Sequence, residues 1–313
     1  MPEHRTSKAP EQPPNHQRSG AKPAGPPGES PPGPFPEILP NGPGPRRRSF
    51  RPGWRGVALV LALAALAWVY LELAAEGMSY EWQWNRVWRH FGRWTSHGFV
   101  AGPLLEGLVM TLGIAAAGFC LSTLLGLAAA VCRLSPWPFC RLVAAAYVEL
   151  LRNTPLLLQL FFVYFLLSPL FSLGPFGSAV LALGAFEGAY MAELFRAGLL
   201  SVPRGQWEAA LSLGFGLGEA LRLVILPQAA RNMLPPITSQ VVTLIKDTSL
   251  VSAIAVADLT MRAQAIIAET FLAFEVWLLV AAIYLALTLC ASVPGWILER
   301  RNARAAGAAA ADS

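Results

Sequence analysis

Six stretches of this chain are apolar over nearly 20 residues or more, and this feature limits the fold more than any other. An α-helix needs about 20 apolar residues to cross the hydrocarbon core of a bilayer. The composition agrees, since 14% of the residues are charged, whereas a soluble domain carries about 25%. The sequence therefore predicts an all-α membrane protein, with spans at 57–75, 104–131, 142–168, 178–200, 232–256 and 272–296. The spans at 104–131 and 142–168 exceed the bilayer thickness and are expected to tilt, bend or project.

Segments of different composition flank the predicted spans. Residues 1–55 hold 15 of the 26 prolines, and such a segment cannot bury enough apolar surface to order itself, so we expect a disordered Pro/Gly-rich tail. An extra transmembrane helix is expected at 56–76, before the main transmembrane domain at 100–298. The tryptophan-rich segment at 77–99 is predicted to form a helix at the lipid–water interface. Residues 299–313 are predicted to form a second tail.

Basic residues beside the spans predict the orientation. With residue 1 in the cytoplasm, the cytoplasmic flanks hold 14 arginines, and the opposite flanks hold four, which are Arg86, Arg89, Arg93 and Arg262. Since cytoplasmic loops are enriched in Lys and Arg, we expect both termini in the cytoplasm, in the inner membrane of a bacterium. The basic residues are spread over many small groups, so the pI of about 9.3 does not indicate a nucleic-acid partner.

The charged stretch 201–228 lies between two spans, on the expected cytoplasmic side. Ser201 and Pro203 form a helix-start signal, and a short amphipathic helix is expected to follow. Gly214 permits a sharp backbone break, after which a second short helix is expected to end at Pro227. Such a helix pair would either dock another protein or lie flat on the membrane, and its periodicity does not separate these alternatives.

The spacing within this stretch resembles the EAA motif of ABC importer permeases. The matching positions are Glu208, Ala209, Ala210, Gly214, Leu226 and Pro227, with Val224 where the motif has isoleucine. Further segments are similar to the branch of that family that takes up polar amino acids, and these are 147–165, 189–210, 224–236 and 244–259. The resemblance covers roughly residues 100–298.

This resemblance implies a type I ABC importer permease fold, with a five-helix core plus one additional N-terminal transmembrane helix. It implies that 201–228 forms coupling helices that dock a separate cytoplasmic ABC ATPase. It also implies a second permease copy or paralogue, a periplasmic amino-acid-binding protein, and alternating access. The chain has no Gly-x-x-x-x-Gly-Lys-Ser/Thr loop, so ATP is expected on the ATPase and no cofactor is expected on this chain.

Polar residues inside the spans suggest a substrate pathway, because charge at membrane depth is costly and usually faces a cavity or a partner. The candidates are Glu187, Tyr190, Glu193, Lys246, Asp247, Thr248 and Ser249. Residues 247–249 are expected to cap a half-helix after a break, where backbone N–H groups would meet a substrate carboxylate. Glu187 or Glu193 would then meet an ammonium group. The alternative is an internal Glu193–Lys246 ion pair, or polar packing without substrate contact.

Two other classes of function fit this sequence less well. An ion- or proton-coupled secondary transporter or channel would not need a docking loop. An intramembrane enzyme is disfavoured, because no histidine lies in a span and neither His-Glu-x-x-His nor Gly-x-Ser-x-Gly occurs. The four cysteines show no metal-ligand spacing and are expected to be small buried hydrophobes; they are Cys120, Cys132, Cys140 and Cys290.

Overall fold

The structure is a computed structural model that describes residues 80–96 and 98–311, together with six single positions between 58 and 69. At 299 and 301–311 it describes the backbone alone. The predicted tail at 1–55 lies outside the described residues. The predicted extra helix at 56–76 lies outside them too, apart from those six positions.

The described chain is mostly helical, with one antiparallel β-hairpin. In chain order the elements are α1 (Trp84–Val87), a 3-10 turn (Trp88–His90), β1 (Gly92–Thr95), β2 (Gly98–Ala101), α2 (Pro103–Leu134), α3 (Pro138–Arg152), α4 (Leu156–Phe162), a π turn (Val163–Leu167), α5 (Ser168–Phe171), α6 (Gly174–Leu200), α7 (Arg204–Ser212), α8 (Leu217–Glu219), a π segment (Ala220–Ile225), α9 (Leu226–Asp247), a 3-10 segment (Thr248–Ile254), α10 (Leu259–Thr270) and α11 (Ala273–Ala311).

Three helices of the described chain are long and apolar enough to cross a membrane: α2, α6 and α11 over Ala273–Leu298. They occupy the positions expected for the spans at 104–131, 178–200 and 272–296. Two bent pairs raise the number to as many as five if each pair is one span. One pair joins α3 to α4–α5, and the other joins α8–α9 to α10.

Helices α2 and α6 form the centre of the bundle, and glycines let their backbones approach closely. A side chain at Gly126 would clash with Met191, and one at Gly184 would clash with Leu121. Small residues at such contacts are typical of membrane helices, which pack by close van der Waals contact. The largest buried cluster joins these two helices to α4, α9 and the following 3-10 segment through Ile114, Leu160, Leu183, Leu244 and Ile254.

The bundle has two distinct ends. Helices α2 and α6 run in the same direction, since Gly113 near the start of α2 lies by Phe176 near the start of α6. The stretch 201–228 follows α6, at what we call the loop end. The β-hairpin directly precedes α2 and therefore lies at the opposite end, which we call the hairpin end. Helix α10 also begins there, because Gly107 of α2 contacts Asp258.

The predicted span at 142–168 is bent, since the chain turns by 107° between α3 and α4–α5, as a span longer than the bilayer thickness can do. The bend follows from Pro155, because proline has no N–H and disfavours helical backbone at the preceding residue. Gln159 fixes the bend, since its Nε2 donates to the Leu151 carbonyl oxygen at 2.8 Å and to Thr154 Oγ1 at 2.7 Å.

The predicted break at 247–249 is wrong. Asp247 keeps helical backbone angles and its side chain makes no cap hydrogen bond. The chain instead breaks at Ala255, whose φ is +59°. The carboxylate of Asp258 then accepts hydrogen bonds from two backbone N–H groups in the first turn of α10, as N-cap aspartates do.

Among the described residues of the tryptophan-rich segment, 80–96, 98 and 99, the helical ones are 84–90, so the predicted interfacial helix is wrong for the described residues outside that range. Strands β1 and β2 follow, and Trp94 lies directly opposite Phe99. Gly98, with φ +114°, adopts a conformation that glycine reaches without a Cβ penalty. Aromatic residues on the strands favour extended structure.

The expectation that all four cysteines are buried is wrong for this chain. Cys120 and Cys290 are exposed, and Cys132 and Cys140 are half-buried. All four are free thiols. Within the described part of the chain, no cluster of three or more His, Cys, Asp or Glu residues could hold a metal ion.

Candidate coupling loop and translocation face

The first helix of the candidate coupling loop, which comprises residues 201–228, is α7. Its N-cap position is Pro203, which makes no side-chain cap bond. The predicted capping role of Ser201 is therefore wrong. Ser201 instead joins two bundle helices, because its Oγ donates to the Gly198 carbonyl oxygen at 2.7 Å and accepts from Nδ2 of Asn232 at 2.9 Å.

Gly214 makes the sharp break that the sequence predicted. Its φ is +88°, in the left-handed region that favours glycine. The N–H of Gly214 donates to Leu211 at 3.0 Å and that of Phe215 donates to Ala210 at 3.2 Å, which is the hydrogen-bond pattern of a Schellman C-cap. No described atom lies within 4 Å of a Cβ placed at 214. Glycine is therefore required there by backbone conformation rather than by lack of space.

The second helix of the loop is continuous with α9. It starts after Gly216, whose N–H donates to Glu219 Oε2 at 2.9 Å. The helix widens to a π segment and then passes through Pro227, so the predicted end at this proline is wrong. A proline inside a helix clashes with the carbonyl oxygen of the residue one turn before it. The residues one turn before Pro227 belong to the π segment, whose hydrogen bonds span five residues and so change the backbone at that point.

Most of the motif residues are available to a partner. Five of the six positions are exposed and Ala210 is buried; the exposed ones are Glu208, Ala209, Gly214, Leu226 and Pro227. Two leucines beside the break are also exposed, Leu213 by 78% and Leu217 by 66%. Large apolar side chains grouped at an exposed bend are typical of an interaction site.

The candidate coupling loop rests on the ends of α6 and α9. Its base is a buried cluster of Val202, Ile225, Ala229 and Met233. Gly198 of α6 leaves room for Met233 of α9, and any side chain at 198 would clash with it. A displacement of the loop would therefore act on both helices.

A second candidate site is a cluster of polar side chains between α6 and α9. We call it the Glu187–Asp247 cluster, and it comprises Glu187, Gln240 and Asp247. Glu187 is 1% exposed, and its Oε2 accepts a hydrogen bond from Nε2 of Gln240. The Asp247 carboxyl lies within hydrogen-bonding reach of the Glu187 carboxyl. The other oxygen of Glu187 has no hydrogen-bond donor among the described residues. Two ionised carboxylates so close together repel each other, and the positive charge of Lys246 acts on Asp247.

Glu193 lies in a different environment, and the alternative of a Glu193–Lys246 ion pair is wrong, since Glu193 pairs with two arginines. Oε2 of Glu193 accepts from Nη2 of Arg196 at 2.9 Å and from its Nε at 3.1 Å. Oε1 is paired with Nη1 of Arg133. Glu193 therefore ties α2 to α6 near the loop end.

The other predicted pathway residues do not join the Glu187–Asp247 cluster through any hydrogen bond between described residues. The Tyr190 ring lies under the Arg152 guanidinium, at 5.0 Å. Lys246 is exposed, and Ser249 is half-buried. Thr248 is buried, and its hydroxyl donates to the Ile245 carbonyl oxygen, three residues earlier, at 2.7 Å.

Sequence reasoning missed Gln240 as a member of the Glu187–Asp247 cluster. The signal for it was its spacing, since Gln240 lies seven residues, or about two helical turns, before Asp247. An uncharged amide in an apolar stretch does not stand out as a charge does.

Comparison with known proteins gives consistent matches. The family model described as binding-protein-dependent transport system inner membrane component matches residues 122–304. The chain is 40% identical over 225 residues to the glutamine transport system permease protein of Escherichia coli, covering 71% of this chain and 98% of the relative. It is 40% identical over 203 residues to the L-cystine transport system permease protein of Bacillus subtilis, covering 64% and 86%.

A solved structure described as an amino acid ABC transporter with histidines is 38% identical to this chain, with a TM-score of 0.60. That match covers 64% of this chain and 94% of the other. The matched family region contains both the candidate coupling loop and the Glu187–Asp247 cluster, and the solved structure agrees with the type I permease fold. The chain therefore belongs to the family of inner membrane components of binding-protein-dependent transport systems, in which it is a permease subunit.

Proposed function

We propose that this permease carries a polar amino acid across the membrane as one subunit of an ATP-driven ABC importer. The names of two relatives specify glutamine and L-cystine transport, and the similar solved structure is of an amino acid ABC transporter. The observation that carries the coupling part of the proposal is the exposed helix pair bent at Gly214. Its leucines, Leu213 and Leu217, would enter a groove of the partner.

The partner at the loop would be a separate ABC ATPase that binds ATP, so this chain would itself need no cofactor. A second permease copy or paralogue would complete the pore, and a periplasmic amino-acid-binding protein would deliver the substrate. The excess of arginines on one side of the spans supports an inner-membrane orientation with the loop and both termini in the cytoplasm.

The Glu187–Asp247 cluster would receive the ammonium group of the substrate. Glu187 offers an oxygen without a donor among the described residues, in a buried site where a cation would relieve the repulsion between the carboxyls. Gln240 would hold the Glu187 carboxyl in place. Glu193 already pairs with two arginines, so we assign it to holding the bundle, with Tyr190. Lys246, Thr248 and Ser249 would line the same stretch of α9 and its 3-10 extension.

Uptake of labelled glutamine, cystine and arginine in cells with and without the gene tests the transport class. We expect uptake of at least one of them to stop when cellular ATP is depleted and to persist when an ionophore collapses the ion gradients. The opposite pattern would favour an ion- or proton-coupled secondary transporter.

The variant Glu187→Gln tests the pathway separately from the coupling. It keeps the size of the side chain and removes its charge, so we expect a higher KM for uptake at equal membrane level. Glu106→Gln is the matched control, because Glu106 pairs with Arg262 at the exposed hairpin end. An unchanged KM in Glu187→Gln would exclude this cluster from the pathway and leave the coupling proposal standing.

A further inference from the structure

We propose that residues 80–96 and 98–101 form a patch that binds anionic phospholipid headgroups at the hairpin end of the bundle. The segment lies outside the stretch matched by the family model, and the inference does not depend on the transported substrate.

The patch is fixed to the bundle at one end by Glu275, a fully buried residue in the first turn of α11. The Tyr80 hydroxyl and the Gln83 backbone N–H both donate to its carboxylate, the latter at 2.8 Å. The hydrogen bond from the Tyr80 hydroxyl to Glu275 raises the pKa of Tyr80 to about 12. The Tyr80 ring also packs edge-on against Phe274, with centroids 5.1 Å apart.

The other end of the patch is fixed to the start of α2. The N–H of Gly102 donates to the Phe91 carbonyl oxygen at 2.9 Å, and Gly92 pairs with Ala101 across the hairpin. The segment is therefore held between two helices that are apolar enough to span the membrane, rather than being attached at one point.

The patch exposes aromatic side chains on both its helical part and its hairpin. Trp82, Trp88 and Phe99 are about half exposed, and Trp94 is 82% exposed. Three of the four residues in each strand are exposed. An isolated two-stranded hairpin is marginally stable in water. Tryptophan at such density is typical of the polar boundary of a bilayer.

The charge of the patch is complementary to phosphate. Arg86, Arg89 and Arg93 are exposed, whereas Glu81 is the one acidic residue between positions 80 and 101. Arg89 and Arg93 have no acidic partner among the described residues. These arginines lie on the flank that membrane proteins usually keep poor in basic residues. Guanidinium groups bind phosphate oxygens in bidentate geometry.

Continuity with α11 favours lipid over a protein as the occupant. Phe274, which contacts both Tyr80 and Trp82, begins a row of exposed apolar residues on that helix. The row comprises Phe274, Leu278, Leu285, Leu289 and Trp296. These positions lie within about 60° of one another around a helix of 3.6 residues per turn. The row runs the length of a span-competent helix, so the patch lies where that helix leaves the bilayer.

The test uses the full chain in phosphatidylcholine vesicles that contain a minor fraction of brominated phosphatidylglycerol or brominated phosphatidylcholine. The quenching of Trp94 is obtained as the difference between the parent and Trp94→Phe. We expect brominated phosphatidylglycerol to quench Trp94 at a lower mole fraction than brominated phosphatidylcholine. The difference should shrink as salt screens the arginines.

Two double variants at the same positions separate charge from structure. Arg89→Gln with Arg93→Gln should lower the apparent affinity for phosphatidylglycerol by about 30-fold, since each arginine near an anionic surface contributes about fivefold. Arg89→Lys with Arg93→Lys should retain most of the preference. The proposal is overturned if neither lipid quenches Trp94, which would leave the hairpin in water facing a protein. It is also overturned if both lipids quench Trp94 equally, or if the glutamine variant keeps the preference.

Discussion

Substituting Gly214 by alanine isolates the backbone requirement of the coupling loop. Its φ of +88° lies in a region that costs a residue with a Cβ about 1–2 kcal/mol. No described atom lies within 4 Å of the added Cβ, so a steric clash adds nothing to that cost. Gly214→Ala should therefore raise the equilibrium constant for opening of the turn by about 5- to 30-fold, since 1.4 kcal/mol corresponds to a factor of ten.

Hydrogen exchange read by mass spectrometry measures this opening directly. The amides of Leu213, Gly214 and Phe215 donate to carbonyl oxygens of α7, and we expect them to exchange faster by that factor, up to the rate of an unprotected chain. Gly218→Ala is the matched control, because no described atom lies within 4 Å of its Cβ position either. Gly218 lies in α8, where alanine is favoured over glycine by about 1 kcal/mol. In Gly218→Ala the same three amides should therefore exchange at the parent's rate or slower. Equal acceleration in both variants, or in neither, would refute the reasoning.

Two further predictions concern the bundle, and thermal unfolding in detergent checks both. Asp258→Ala removes the N-cap of α10 and should destabilise the protein by about 1 kcal/mol; Asp258→Asn, which can still cap, should keep most of that stability, and equal loss in both would contradict the capping role. Glu193→Gln leaves two arginines without their carboxylate and should cost at least about 1.5 kcal/mol. Glu106→Gln breaks an exposed ion pair that contributes about 0–1 kcal/mol. A larger loss of stability in Glu106→Gln than in Glu193→Gln would contradict the assignment of Glu193 to holding α2 against α6.

Features that depend on local sequence could be predicted. Apolar length gave the positions of α2 and α6 to within four residues, because the thickness of a bilayer sets how long such helices must be. The break at Gly214 could be predicted because glycine is the residue that reaches a left-handed conformation without penalty. In both cases the residue types themselves carry the physical constraint.

Features that depend on tertiary contacts could not be predicted. Glu193 pairs with Arg133, which is 60 residues away, and nothing in the sequence shows that α2 and α6 pack in parallel. The break at Pro155 is an exception, because the polar residues Arg152, Asn153 and Thr154 directly precede it and the sequence itself signals it. Asp258 is a cap residue by type, but the nearby polar run at 247–249 offered an equally plausible cap, and the backbone at Ala255 decides between them.

The docking of a separate ATPase on the coupling loop is the central claim, and affinity purification of the tagged full chain in gentle detergent tests it most directly. Gly214→Arg is compared with Gly174→Arg at equal membrane level. Both glycines have positive φ and no described atom within 4 Å of a Cβ, but Gly174 starts α6 at the opposite end of the bundle. We predict that a P-loop ATPase copurifies with the parent and with Gly174→Arg and is lost with Gly214→Arg. Recovery of the ATPase with Gly214→Arg, or its absence from the parent, would contradict the account.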